Sequence, residues 1–411
     1  MNTLDNCRIA VIGLGYVGLP LAQEFGRKYD VIGYDINEAR IATLEHEQPA
    51  QGLTYTSDAT LLRKANIYII AVPTPIDRSN TPDLRPLLAA SKTVGLVLKP
   101  DDIVIYESTV YPGCTEEDCV PVLEKFSGLS YNKDFYCGYS PERINPGDKE
   151  HTLINIRKIT SGSTPEVAQL VDTLYNSILQ NGTYPAPSIR VAEAAKVVEN
   201  CQRDLNISFV NELALICDQI GLDTNDVIDA ASTKWNFLTF RPGLVGGHCI
   251  SVDPYYLAHK ARTLGYDPKV ILSGRAVNNS IAKFIADKVL KLLIQKGHAI
   301  VNANVLILGV TFKENCPDCR NSKVVDIYNE LRQFGCHVDV YDPWASPAFV
   351  RHEFGISLLP EVDPNREYNA VIACVAHDEF HNFDWDLYRK KNAVIFDVKG
   401  FVPRNLIDAR L

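Results

Sequence analysis

The chain has 411 residues, 46% apolar and 22% charged, with a net charge of −9 and a pI near 5.5. That length accommodates two or three domains, each with a sizeable core. The acidic balance argues against nucleic-acid binding, which favours a basic surface, yet leaves room for a small anion held by a few local Arg and Lys residues.

The chain enters a strand at Arg8-Ile9-Ala10-Val11-Ile12-Gly13 within a few residues of its start. This leaves no room for a signal peptide, and no later apolar run is long enough to span a bilayer. A cytoplasmic protein with no membrane partner is expected, and with it reduced thiols for the eleven cysteines. The N-terminal third alternates short apolar strands (Arg8–Gly13, Asp30–Tyr34, Ile67–Val72, Ile103–Glu107, Phe135–Tyr139 and Arg157–Ser161) with amphipathic helices such as Val17–Lys28 and Leu84–Leu98. This alternation reads as a parallel α/β sheet. From about Val191 to Ile294 helical periodicity takes over, in Ala192–Ile220, Thr224–Ala231, Tyr255–Leu264 and Val270–Gln295. The long Ala192–Ile220 segment is either a dimer surface or simply core. Strand signals return at Val305–Gly309, His337–Tyr341, Ala370–Cys374 and Ala393–Asp397, with a helix over Lys323–Phe334. The expected architecture is two Rossmann-like parallel-sheet α/β domains, residues 1–190 and 298–411, joined by a central helical domain, residues 191–297.

Gly13-Leu14-Gly15-Tyr16-Val17-Gly18 follows a strand and opens a helix, and Asp35 ends the next strand. Gly13 permits the tight turn, Gly15 lets backbone approach a pyrophosphate, and Gly18 lets helix pack on strand. The helix N-terminus offers free N–H groups to phosphate. Asp35 suits ribose hydroxyls and repels a 2′-phosphate, so NAD is expected rather than NADP. Tyr16 and Val17 lie within the same turn. Pro73-Thr74 and Ser108-Thr109 sit at the carboxyl ends of later strands, the edge where ligands bind in doubly wound sheets; there they either touch cofactor or serve as ordinary turn residues.

Gly246-Gly247-His248-Cys249-Ile250-Ser251-Val252-Asp253 sets a cysteine after two glycines and a carboxylate four residues beyond it. Glycines let backbone approach a ligand closely, and a cysteine there can act as a nucleophile. Paired with a dinucleotide turn, it points to an oxidation through a sulfur-bound intermediate. Cys316-Pro317-Asp318-Cys319 has CxxC spacing, but with no second pair or His ligands it reads as structural. No metal site is expected.

These segments, with Val72–Pro75, Glu107–Val110, Ser140-Pro141-Glu142-Arg143, Ala194-Ala195-Lys196 with Asn200, and Phe312-Lys313 followed by Asp318–Ser322, occur in an order that resembles the UDP-glucose/GDP-mannose 6-dehydrogenase superfamily along essentially the whole chain. Ser140–Gly147 and Phe240–Cys249 resemble its UDP-N-acetylhexosamine branch. Val252 stands where the UDP-glucose and GDP-mannose enzymes usually carry lysine, and Ser251 where Pro or Gly is usual.

The resemblance implies a two-step, four-electron oxidation of a UDP-N-acetylhexosamine at C6 to the uronate, with two NAD, for a surface polysaccharide. It gives Cys249 a thiohemiacetal and thioester, and Glu142 the activation of water. Lys196, with Asn200 one turn further on, polarises the reacting oxygen or acts as the base, a role shared with Asp253 and not settled between them. Arg143, Arg241, Gly246, Lys313 and Arg320 are implied as substrate contacts, and a homodimer or higher homo-oligomer as the assembly. Two alternatives stay open: a UDP-glucose 6-dehydrogenase, and a catalytically silent nucleotide-sugar or NAD sensor. Between GlcNAc and GalNAc the sequence does not choose.

Overall fold

A computed structural model describes residues 6–46, 50–77, 79–143 and 152–411. The chain divides into two compact units, Met1–Glu199 with Tyr255–Asp267, and Asn200–Pro254 with Pro268–Leu411.

The first unit is built on an eight-stranded sheet in the order β3-β2-β1-β4-β5-β6-β7-β8. Its strands are β1 (Arg8–Ile12), β2 (Asp30–Tyr34), β3 (Leu53–Thr56), β4 (Ile67–Ile70), β5 (Ile103–Tyr106), β6 (Tyr136–Tyr139), β7 (Lys158–Gly162) and β8 (Thr183–Pro185). The helices between them are α1 (Gly18–Gly26), α2 (Glu38–His46), α3 (Arg85–Gly95), α4 (Val120–Ser127) and α5 (Pro165–Asn176). β4 and β5 are buried at every position because helices cover both faces. The strand order reverses at β1, where a doubly wound sheet opens its ligand crevice.

The sheet is not wholly parallel as expected: β7 runs antiparallel to β6. A parallel return needs a helical crossover. Between β6 and β7 the described residues hold only the short turn Leu153–Asn155.

The long helix α6 (Ile189–Ile220) belongs to both units. The second unit continues with α7 (Thr224–Ala231), the start of α8 (Asp253–Thr263), and α9 (Lys269–Gln295). A second sheet follows in the order β10-β9-β11-β12-β13, all parallel. It comprises β9 (Asn304–Leu308), β10 (His337–Tyr341), β11 (Ala370–Ala373), β12 (Val394–Asp397) and β13 (Ala409–Arg410), with α10 (Val324–Gln333), α11 (Pro347–Phe354) and α12 (Trp385–Lys390). It repeats the first unit's opening geometry. Asp342 after β10 accepts from Val310 N at 2.6 Å, as Asp35 after β2 accepts from Leu14 N at 2.8 Å.

Within the second unit α6 and α9 are joined by buried polar groups. Asp204 Oδ1 accepts from Arg275 Nη1 at 2.6 Å and Asn278 Nδ2 at 2.7 Å, with both partners of the ion pair almost wholly buried. Burial raises the Asp204 carboxyl, and Arg275 and Asn278 oppose that rise. Asn211 bonds Asn278 and holds Gly243 through both its N–H and its carbonyl. The network therefore sets where the chain leaves for Gly246–Asp253.

Removing one partner of such a pair strands the other charge. Arg275→Met is expected to cost about 3–5 kcal/mol in denaturant unfolding, with Asp204→Leu added to it recovering most of the loss. A single substitution without cost would show that the pair does not anchor α6 to α9.

Candidate active site

In the first unit the β1 turn is shaped by steric limits. Gly13 has φ +92°, and a Cβ there would stand 2.7 Å from the Ala71 carbonyl oxygen. A Cβ on Gly18 would stand 1.8 Å from the Gly13 carbonyl oxygen, whereas one on Gly15 would meet nothing within 4 Å. The closed positions fix the turn and the open one leaves backbone accessible. At the start of α1, Val17 makes no side-chain cap and the first turn carries no acid. Leu19 N–H donates to Gly15 O at 3.1 Å and Pro20 has no N–H, so the groups left for phosphate are those of the glycine turn itself, with no local repulsion. Asp35 accepts from Leu14 N at 2.8 Å and Asn37 N at 2.9 Å, which fixes the carboxylate at the end of β2. Tyr16 is exposed beside the turn. These residues fit a dinucleotide: the backbone of the glycine turn for the pyrophosphate, Asp35 for the ribose.

Ser108 is buried, and its hydroxyl donates to Val72 O at 2.7 Å, tying two strand-end loops together. Thr109 is half-buried next to it, with Pro73 exposed and Thr74 half-buried on the facing loop. Glu142 is buried just after β6. Arg143 pairs with Glu199 at 2.6 Å and donates to Arg157 O at 2.8 Å. Ile144–Gly147 of the Ser140–Gly147 motif lie outside the described residues.

Lys196 is 6% exposed, which rules out a solvated surface lysine, and it makes no hydrogen bond or ion pair to any described residue. One turn earlier on α6, buried Glu193 accepts from Gly113 N at 2.6 Å and Thr115 N at 2.9 Å. It fixes the turn of helix that carries Lys196 to the loop beyond Ser108 and Thr109. Burial pushes the Glu193 carboxyl up to about 7, against those hydrogen bonds. Sequence reasoning missed Glu193; its position one turn before Lys196 was the available signal.

In the second unit, ten of the eleven cysteines of the whole chain can be set aside, because only Cys249 is partly exposed. Thiolate chemistry requires access. Burial raises the thiols of Cys201 and Cys319 to about 12. The Cys249 carbonyl accepts from Val252 N at 3.0 Å and Asp253 N at 2.8 Å, and Ser251 Oγ donates to Gly247 O at 2.6 Å. This closes a turn that runs directly into α8. Asp253, 2% exposed, accepts from Asn200 Nδ2 at 2.6 Å. Asn200 and Asp253 are therefore one unit of structure, not two independent motif positions.

The glycine pair has a different reason from the one expected. A Cβ on Gly246 would stand 2.5 Å from the Asn321 carbonyl oxygen, and one on Gly247, whose φ is +84°, would stand 3.0 Å from the Phe312 ring. The glycines admit the 312–321 segment, not only a ligand. His248 Nε2 bonds Asp318 Oδ2 at 2.9 Å and its ring stands edge-on to Phe312. Arg320 turns onto the same Asp318 through Nε at 3.0 Å and Nη2 at 2.7 Å. Lys313 lines a pocket with Gly246, Glu314, Lys323 and Lys399, in which Lys323 pairs with Asp326 at 3.0 Å and Lys399 with Glu314 at 3.8 Å. Lys323 and Lys399 escaped the sequence reading, and Asp318 entered it only as a motif position with no role of its own. Arg241 is exposed and paired with Asp229 and Asn225.

Comparison with known proteins fits this geometry. Residues 7–179 match the UDP-glucose/GDP-mannose dehydrogenase family's NAD binding domain, 190–280 its central domain and 306–404 its UDP binding domain. The chain belongs to the UDP-glucose/GDP-mannose dehydrogenase family. Its fold, as expected, is two Rossmann-like sheets with helices between them, and NAD is its cofactor. It is 53% identical to a UDP-N-acetyl-D-glucosamine 6-dehydrogenase of Pseudomonas aeruginosa, across 99% of this chain and 100% of the relative. A Salmonella typhi protein of the same name is 51% identical over both full lengths. Among solved structures, the UDP-D-ManNAc dehydrogenase of Pyrococcus horikoshii superposes with a TM-score of 0.88 at 30% identity, covering 98% of each chain. Among the described residues no helix is long and apolar enough to cross a membrane.

Two expectations follow. Asp35→Ala is expected to weaken NAD binding in calorimetric titration, while the parent chain binds NAD more tightly than NADP; equal affinities would dismiss Asp35 as the selector. The second concerns acid. Burial alone would raise the Asp318 carboxyl, but hydrogen bonds from His248 and Arg320 hold it well below the usual carboxylate range. A depressed carboxylate contributes stability above its unfolded pKa, about 3.9, and loses it as pH falls through the folded value. Asp318→Asn should flatten the acid-side fall in thermal midpoint; an unchanged profile would refute this.

Proposed function

We propose that this family member oxidises the C6 alcohol of UDP-N-acetyl-D-glucosamine to the corresponding uronate, with two NAD reduced per sugar, as a step toward a surface polysaccharide. The observation that carries this reading is the single accessible thiol, Cys249, in the turn ahead of the Asn200–Asp253 pair. The names of the two relatives above 50% identity support N-acetylglucosamine over its isomers. Val252, buried and apolar, supports an N-acetylhexosamine over UDP-glucose.

Bound NAD supplies the hydride acceptor for both oxidations. The chain does the rest. In the first oxidation the C6 hydroxyl gives up its proton to a single base, either Asp253 or Lys196 in its neutral form, as hydride leaves, and an aldehyde results. Cys249 sulfur then adds to the aldehyde carbon, which restores a hydroxyl-bearing carbon able to lose a second hydride. That loss leaves a thioester on Cys249. Water, deprotonated by Glu142, cleaves the thioester to the acid and returns the thiol. Lys196, buried without a partner among the described residues, is suited to the developing oxyanion. Lys313, with Arg143, Arg241, Gly246 and Arg320, is assigned to the sugar nucleotide.

We place the reaction in the cytoplasm and the enzyme in a homodimer. The exposed apolar residues Phe209, Ile216 and Ile220 on α6 support the dimer, because seven- and four-residue spacing sets them on one helical face.

A substrate panel tests the reading. UDP-N-acetylglucosamine is expected to give two NADH per molecule and the highest kcat/KM, ahead of the galacto and manno epimers and UDP-glucose. Cys249→Ser should form no acid while retaining measurable alcohol–aldehyde chemistry. Full four-electron turnover by that variant would sink the covalent route, and no NADH from any sugar would favour a silent sensor.

A further inference from the structure

Lys158 lies at the start of β7 with no exposed surface. Its Nζ donates to Glu107 Oε2 at 2.7 Å and to the Pro141 carbonyl at 3.0 Å. Glu107 is equally buried at the end of β5, and the Tyr175 hydroxyl of α5 donates to its other oxygen. The neighbours of these groups in sequence matter. Glu107 immediately precedes Ser108, and Pro141 immediately precedes Glu142. One ammonium therefore ties the loop of Ser108 and Thr109 to the loop of Glu142, all within the first unit.

Stability does not account for this arrangement. A fully buried ion pair costs so much desolvation that well-packed apolar side chains of the same volume are often at least as stable. An apolar pair, however, cannot fix two backbone segments at hydrogen-bond distance. Glu107 faces Lys158, Tyr175 and Glu142. Burial pushes its carboxyl up to about 7, Lys158 and Tyr175 draw it down, and the Glu142 charge adds to the rise. The network thus touches Glu142 twice, through the Pro141 carbonyl and through the field of Glu107.

We propose that Lys158, with Glu107 and Tyr175, is a positioning residue that holds Glu142 in the attitude from which it activates the hydrolytic water. This rests on the reading of Glu142 as the base for the last step.

The test removes both charges together, in Lys158→Met/Glu107→Gln, so that no lone ion is buried. The folded fraction, NAD affinity and first hydride transfer are expected to stay as in the parent. Acid release is expected to fall about tenfold, a fraction of the roughly 10²–10⁴-fold that a general base contributes, because Glu142 itself is kept. Intact-mass measurement should then show an acyl adduct persisting on Cys249, a readout that simple loosening of the fold would not produce. Tyr175→Phe, which deletes one hydroxyl, should slow acid release in the same direction by less; if the double variant fails to fold, it alone decides, and a parental rate overturns the proposal. Glu142→Gln separates the two ideas. Slow acid release in Glu142→Gln with parental release in the double variant overturns the role of Lys158 and leaves Glu142 standing. Parental release in Glu142→Gln removes the base itself, and the proposal with it.

Discussion

The structure depends on one unusual helix stripe. Along α6, Glu193, Lys196, Asn200, Asp204, Ser208 and Asn211 recur every three or four residues, and all six are buried. Helical periodicity brings such positions to one face. A buried polar side chain is tolerated only with a partner. Toward the helix start, Glu193 finds backbone N–H groups of the first unit. Further along, Asn200 finds Asp253, Asp204 finds Arg275, and Asn211 finds Gly243. Gly113 and Thr115 follow the Ser108–Thr109 loop, Asp253 ends the Gly246–Asp253 segment and Gly243 precedes it, while Arg275 anchors α9. The requirement that these groups be satisfied is what fixes those segments. Among the described residues Lys196 is the exception, buried with no hydrogen-bond or ion-pair partner.

The parts of the fold visible in the sequence were those set by local physics. The Gly13 turn is decided by contacts under 3 Å that exclude a Cβ, and Gly-x-Gly-x-x-Gly records that exclusion. Long periodic helices such as α6 and α9 announce themselves by repeat, although α6 starts at Ile189 instead of Ala192. β3 and β8 were missed because four and three residues carry almost no period, and β8 ends in a proline at the sheet edge. The antiparallel β7 could not be read from its own residues, since strand direction is set by the connection that precedes it.

The candidate site divides in the same way. Cys249 and Asp253 are close in sequence, so one motif holds both. Glu193, Glu107, Lys158 and Asp318 were not read out as site groups, because their meaning comes from partners 51 to 80 residues away. A charged residue in a sequence looks like surface until tertiary contacts bury it. Arg320 shows both sides. Its motif position marks it for substrate, and in the fold its fork also engages Asp318, the residue that bonds His248, a contact no motif announces.

That last contact changes how the nucleophile segment should be understood. Gly246 packs on Asn321, Gly247 on Phe312, and His248 on Asp318, so three consecutive residues before Cys249 rest on one ten-residue stretch of the second unit. The same stretch supplies Phe312 and Lys313 to the pocket that Gly246, Lys323 and Lys399 also line. One stretch of backbone therefore both lines that pocket and supports the cysteine turn. The glycines make this possible, because any side chain at either position would separate the cysteine turn from its support.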